Sequence, residues 1–351
     1  MNHFRSVLAA LALVAAPQAA HAWGATGHEM VSGLGAEAFP TELPGFVRTR
    51  AARETIEALG REPDRWRGAG QPHDGERDNA HFYDGDENNA AMGVVPLAAL
   101  PETRADYDAA LNAGGFDQYK AGYLPYAIMD GWQQLVKDFA IWRASRKAEK
   151  NARSGADRAW FRADRLRRET LIIRDIGVWS HYVGDASQPL HASVHYDVWG
   201  DFPNPENFNQ KRGFHVRFEG AFVRANIARK DVAMRMAAFQ ECGCAPFERV
   251  KRFIAASNAQ VVPLFRLEKA GAFGAPLKTA KGWAPDPAKP ATPEAKEFTA
   301  LRLAAGAGEL RDLVILAWRA SAMASVGWPA VSVADVESGK VVLTRDSYGD
   351  D

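Results

Sequence analysis

Residues 171–191 read LIIRDIGVWSHYVGDASQPLH, and this stretch decides the fold. Ile172, Ile176, Trp179 and Val183 recur three or four residues apart, the spacing of one apolar stripe on an α-helix. That helix carries His181 and Asp185 one turn apart at its end, so both side chains point the same way. Pro189 then interrupts helical winding and aims His191 separately. The same periodicity appears in Ile128, Trp132, Leu135, Phe139 and Trp142, and again in Leu303, Leu310, Val314 and Ala317. Alternation of the strand type is scarce, and only Lys340 to Leu343 reads as extended. The expectation is an all-α protein with one multi-helix domain over residues 23–330. Gly- and Pro-rich stretches at Gly200–Gly213 and Gly271–Pro293 read as loops. A single helix after the second is too little for an independent domain. Residues 331–351 show no helical pattern and read as a C-terminal tail, either a short hairpin or disordered.

Composition narrows the class. Of 351 residues, 47% are hydrophobic and 25% charged, with Lys+Arg and Asp+Glu both 43 and a mean hydropathy of −0.29. A polybasic binder, a collagen-like chain, a disordered protein and a multi-span membrane protein are excluded. Two cysteines, Cys242 and Cys244, exclude a disulfide scaffold and a four-cysteine zinc site. Residues 1–22 read as a secretory signal: Arg5 in a basic n-region, Val7 to Ala16 as an apolar core, and Ala20-His21-Ala22 as a small-x-small cleavage site. Cleavage at Ala22/Trp23 places the chain outside the cytoplasm, secreted or periplasmic, and starts it at Trp23-Gly24-Ala25-Thr26-Gly27-His28. In that oxidising compartment Cys242 and Cys244 either close a small ring or stay reduced.

Two of the nine histidines fall in the leader. Of the other seven, five stand near carboxylates. His181 and Asp185 form one i, i+4 pair and His215 and Glu219 another, with His191 between them; Asp64 and His81 lie upstream. A lone His–acid pair is usually a surface hydrogen bond, but two such pairs with a histidine between them point to a metal. Imidazole and carboxylate without thiolate suit Zn²⁺, and Mn²⁺ or Fe²⁺ also fit. His73 and His195 match no pattern and read as loop histidines outside the site.

These residues resemble a superfamily that unites bacterial zinc-dependent phospholipases C with the single-strand-specific zinc nucleases (nucleases S-one and P-one). The likeness runs in order from Trp23 to about Val223. Trp23-Gly-x-x-Gly-His28 and Asp64-x-x-Arg67 resemble the nucleases. His81-Phe82-Tyr83-Asp84-Gly85-Asp86 and Gly213-Phe214-His215-x-x-x-Glu219 lean towards the phospholipases, and His181 to His191 resembles both branches. The resemblance implies a domain built around a trinuclear zinc cleft, with three Zn²⁺ per chain. Asp64, His81, His181 and Asp185 would hold one ion, Trp23 (through its α-amino and carbonyl groups), His28 and a bridging Asp185 a second, and His191, His215 and Glu219 the third. One departure is the 100-residue gap from His81 to His181, longer than the family pattern. It contains the charged run Arg143–Arg168, read as a solvated helical hairpin.

The implied activity is phosphodiester hydrolysis, with a hydroxide bridging two of the ions attacking phosphorus in line. Asp64 would orient that water or accept its proton, Arg67 would bind a non-bridging oxygen, and Phe82 and Asp84 would contact the substrate. The substrate is a phospholipid head group in a phospholipase C-like enzyme or, alternatively, single-stranded nucleic acid in a nuclease/3'-nucleotidase that releases 5'-phosphates. A zinc-binding or adhesion protein without catalysis is the remaining class. No stable protein partner is implied.

Overall fold

Helices occupy 60% of the described residues, and the strands are few and short. The structure is a computed structural model that describes residues 23–346 and 348. The leader expected over residues 1–22 lies outside the described residues. Four long helices frame the molecule: α1 (Gly24–Glu37), α2 (Leu124–Asn151), α3 (Gly155–Asp185) and α4 (Pro293–Ser321).

Helices α2 and α3 form an antiparallel hairpin. Ser154 starts α3 as its N-cap, accepting from the Asp157 backbone N–H, while the Ser154 hydroxyl donates to the Asp157 carboxylate. The hairpin is laced by Trp142 Nε1 donating to Glu169, Ser145 to Asp164, and Arg168 to a fully buried Asp138. The charged run Arg143–Arg168 therefore spans the turn of a helical hairpin, as the sequence suggests. Nearer the body, Ile128, Leu135, Phe139, Ile172, Ile176, Trp179 and Val183 enter the main core with Leu310 and Val314 of α4. A second core gathers Trp23, Phe214, Phe218, Phe222, Phe265 and Phe273 around the start of α1.

Three two-stranded ribbons decorate this frame: Ala90–Ala91 with Val95–Pro96, Leu277–Thr279 with Gly282–Ala284, and Ser325–Val326 with Val331–Ser332. The second lies inside the loop expected at Gly271–Pro293. Lys340–Leu343, expected to be extended, forms no strand. Instead Val333–Ser338 is a short helix, and Val333, Val336 and Leu343 pack on Ala140, Ala144, Ala148 and Phe161 of the hairpin. Tyr348 seals the contact by donating to the Ile141 carbonyl. Six residues span fewer than two turns, too few for a periodic stripe to register. Cys242 and Cys244 are joined by a disulfide in a surface loop. Among the described residues, no helix is long and apolar enough to cross a membrane.

Candidate metal centre

Helix α3 sets the site, because its last turn presents His181 and Asp185 together, both fully buried. Helix α1 crosses close by. A Cβ added at Gly184 would stand 3.1 Å from His28 Nδ1, so glycine is what lets His28 approach. A four-residue helix, Glu62–Arg65, delivers Asp64, and a 3₁₀ turn, Asn79–His81, delivers His81. After α3 another 3₁₀ turn, Pro189–His191, redirects the chain at the proline and aims His191 into the same space. Gly213, at φ +102°, starts a helix whose middle, Arg217–Phe222, is π-wound. That helix carries His215 and Glu219, and π-winding is enriched at functional sites.

The side chains converge in three groups: His28, His181 and Asp185; Asp64, His81 and His181; and His191, His215 and Glu219. The third is the trio expected from sequence. The first two overlap at His181 and are not cleanly separated. Asp185 divides its oxygens, Oδ1 lying 3.3 Å from His28 Nε2, and Oδ2 3.1 Å from His81 Nδ1 and 3.4 Å from His181 Nε2. In the third group Glu219 Oε2 lies 2.7 Å from His215 Nε2 and 3.9 Å from His191 Nε2. Trp23 reaches this end of the molecule too. Its indole donates to Ser187 Oγ at 2.8 Å, and a Cβ at the adjoining Gly24 would stand 3.3 Å from the Glu219 carbonyl oxygen.

The donor set fits cations. His181 Nδ1 meets the Gly60 carbonyl at 2.8 Å and His191 Nδ1 the His81 carbonyl at 2.6 Å. A carbonyl only accepts, so each Nδ1 carries the proton and each Nε2 is bare, the backing that metal-bound imidazoles receive. Those bare nitrogens face other ring nitrogens at 3.0 Å, His181 towards His81 and His191 towards His215. Both ring nitrogens of His28 and Oδ1 of Asp185 are buried with no hydrogen bond. Orphaned polar atoms this deep cost about 1–3 kcal/mol each unless something pairs with them. Imidazole nitrogens and carboxylate oxygens together are the donors Zn²⁺ takes.

Burial holds His28, His81 and His191 well below the usual histidine pKa, with neighbouring imidazoles adding to it. Burial, then the Asp64 charge, holds Asp185 well above the carboxylate range. In ion-free protein these three imidazoles are therefore neutral already, and Asp185 keeps its proton. Ion uptake must displace that proton, so binding weakens as pH falls. Zn²⁺ added to chelator-stripped protein is expected to acidify a weakly buffered solution and to raise the thermal midpoint. Neither change occurring would count against these groups as ion ligands.

A cleft of about 450 Å³ opens over the groups, lined by His81, His191 and His215 together with Arg67, Phe82 and Asp84. Every substrate-facing residue expected from sequence thus lines one cavity. Arg67 is braced by two carboxylates, Asp64 Oδ1 at 3.4 Å and Asp78 Oδ1 at 3.1 Å. Asp84 turns Oδ1 inward with no hydrogen bond, and burial lifts its pKa well above the usual range. Tyr119, Lys120 and Tyr196 stand exposed at the mouth. His73 and His195 belong to none of the groups. His195 is nonetheless buried, stacked on Trp199 and bonded to Glu87 and the Trp199 carbonyl, so it is no ordinary loop histidine.

Sequence reasoning missed the residues that position these groups. Asp197 accepts from the backbone N–H of both Gly213 and His215 at 3.0 Å, capping the helix that carries the third group. The Asn258 amide reaches the carbonyls of Gly85 and Ala192, tying the His81 segment to the His191 segment. Asp197→Ala is expected to lower stability by about 1 kcal/mol, as loss of an N-cap does. Thermal unfolding measures that, and metal analysis should show ion loss at the His215 group with the others retained.

Compared with family models, curated proteins and solved structures, the chain matches none.

Proposed function

We propose that this protein is a zinc-dependent phosphodiester hydrolase of the phospholipase C and single-strand nuclease type, exported by the leader in residues 1–22. One observation carries the reading: buried imidazoles and carboxylates gather in three groups, two of which contribute to the lining of a single cleft that also holds an arginine. Bound there, Zn²⁺ ions would polarise phosphoryl oxygens, make water nucleophilic near neutral pH and offset charge on the leaving oxygen.

The chain's own residues do the rest. Arg67, fixed by Asp64 and Asp78, offers its guanidinium to a non-bridging phosphoryl oxygen. Asp64, beside Arg67 at 3.4 Å, would orient the attacking water or accept its proton. Trp23, His28, Asp64, His81, His181 and Asp185 would hold two ions, and His191, His215 and Glu219 the third. Leu190 and Met92 make part of the cleft wall apolar, which limits competing water.

For the substrate, the phospholipid head group is our first reading. Aromatic rings of Phe82, Tyr119 and Tyr196 surround a cleft containing the Asp84 carboxyl, a setting that suits a quaternary ammonium. The second reading, single-stranded nucleic acid, rests on the same pair seen differently: Phe82 can stack a base and Asp84 can accept from its amino group. The purified protein offered phosphatidylcholine and single-stranded DNA side by side decides between them. Phosphocholine release alone supports the first, 5'-nucleotides alone the second. No hydrolysis of either, nor of bis-p-nitrophenyl phosphate, overturns the enzyme reading.

A further inference from the structure

The charged run Arg143–Arg168 has no part in the chemistry above, yet it holds a strong charge imbalance. Residues 143–168 contain ten Lys and Arg against three Asp and Glu, within a protein whose totals are equal. Five of the ten are engaged: Arg143 with Glu337, Lys147 with the Glu337 carbonyl, Arg165 with Glu149 and Glu169, Arg167 with Asp164, and Arg168 with Asp138. Among the described residues the other five, Arg146, Lys150, Arg153, Arg158 and Arg162, pair with no carboxylate, and all are exposed.

Four of these five stand together, while Arg153 faces the C-terminal segment. Arg146, Lys150 and Arg158 line a hollow of about 380 Å³ between α2 and α3, floored by Trp142, and Arg146 sits over that ring at 5.2 Å. Arg158 continues into an adjoining hollow with Arg162 and the exposed Leu166. The one carboxylate shared by both hollows, Glu149, is already taken by Arg165. The result is a basic trough along a helical hairpin. From Arg158 to Asp185 the helix runs about 40 Å at 1.5 Å per residue, so the trough lies well away from the metal groups.

We infer that this trough is a second binding site, for the phosphate backbone of a single nucleic-acid strand. Unpaired guanidinium and ammonium groups in a row neutralise successive phosphates and release their counterions. The trough is concave, a valley between two helices with cations on both walls, a shape that follows one sugar–phosphate backbone. A flat bilayer meets such a valley poorly, and Leu166 is the one large exposed apolar side chain among the residues that line it. No exposed aromatic ring lines it either, so recognition is of backbone and not of base. The inference stands apart from the substrate assigned to the cleft.

The test uses the zinc-loaded protein and a labelled phosphorothioate oligothymidylate of about twenty nucleotides, read by fluorescence anisotropy across salt concentrations. Four phosphate contacts predict a log K against log salt slope of about −2.8 for a single strand. The triple variant Arg146→Gln/Arg158→Gln/Arg162→Gln is expected to bind at least about tenfold more weakly, with a slope shallower by about 2. The matching triple lysine variant should retain most binding. An unchanged thermal midpoint and unchanged hydrolysis of bis-p-nitrophenyl phosphate in the glutamine variant would show the fold and cleft intact. Equal affinity of wild type and the glutamine variant overturns the proposal, as does binding of phosphatidylglycerol vesicles in place of the strand. If the protein hydrolyses nothing, the binding measurement still reads the trough on its own.

Discussion

Alanine at position 191 is expected to lower hydrolysis of bis-p-nitrophenyl phosphate by about a thousandfold, about 4 kcal/mol of transition-state stabilisation. Metal content should fall by one ion while helical circular dichroism stays unchanged. The reason is local. His191 supplies one of three side chains in its group, and its Nδ1 is already committed to the His81 carbonyl, so nothing nearby can replace Nε2. The ring sits after the Pro189 turn and is not part of any long helix, so its loss spares the frame. A control makes the prediction specific. His195, four residues on and equally buried, belongs to none of the ligand groups, and His195→Ala should keep its full metal complement. Full activity in His191→Ala, or metal loss in His195→Ala, would refute the assignment.

The contrast between those two histidines shows what the sequence makes legible. His191 was readable because it follows a periodic helix, a His–Asp pair one turn apart and a proline, all within a dozen residues. His195 was not, since its burial depends on Trp199 and on Glu87, a residue more than a hundred positions away. The long helices were visible for the same reason as His191: an apolar stripe persists over several turns of α2, α3 and α4. The helix at Val333–Ser338 has too few residues to display one, and its packing partners lie near residues 140–161. Residues that position the ligands, such as Asp197 and Asn258, were hidden because they act through backbone groups brought near by the fold. No local spacing marks an amide that ties Gly85 to Ala192. Charge was misleading in another way. The total is neutral, whereas four unpaired cations of the hairpin stand together along two adjoining hollows.

Adding a single residue before Trp23 in the processed protein is expected to remove one ion per chain and most of the hydrolytic rate. An acylated nitrogen has lost the lone pair that a free α-amine offers a cation, so the effect needs no change in any side chain. The surroundings of Trp23 explain why the chain cannot simply slide to compensate. Its indole is fully buried, bonded to Ser187 and packed at 5.4 Å on Phe218, and its carbonyl receives the His28 N–H. Ser187 is two residues past Asp185, and the next residue, Gly24, lies against the Glu219 backbone. The start of α1 is therefore held in place by Ser187, Phe218 and the Glu219 backbone, close in the chain to the ligands Asp185 and Glu219. On the proposed reading, removal of residues 1–22 would complete the site, and uncleaved precursor should be nearly inactive. Metal analysis and rate assays of the extended and native forms, prepared side by side, measure this directly. Equal ion content in the two would sever the link between processing and activity, leaving the side-chain groups to act without the tryptophan.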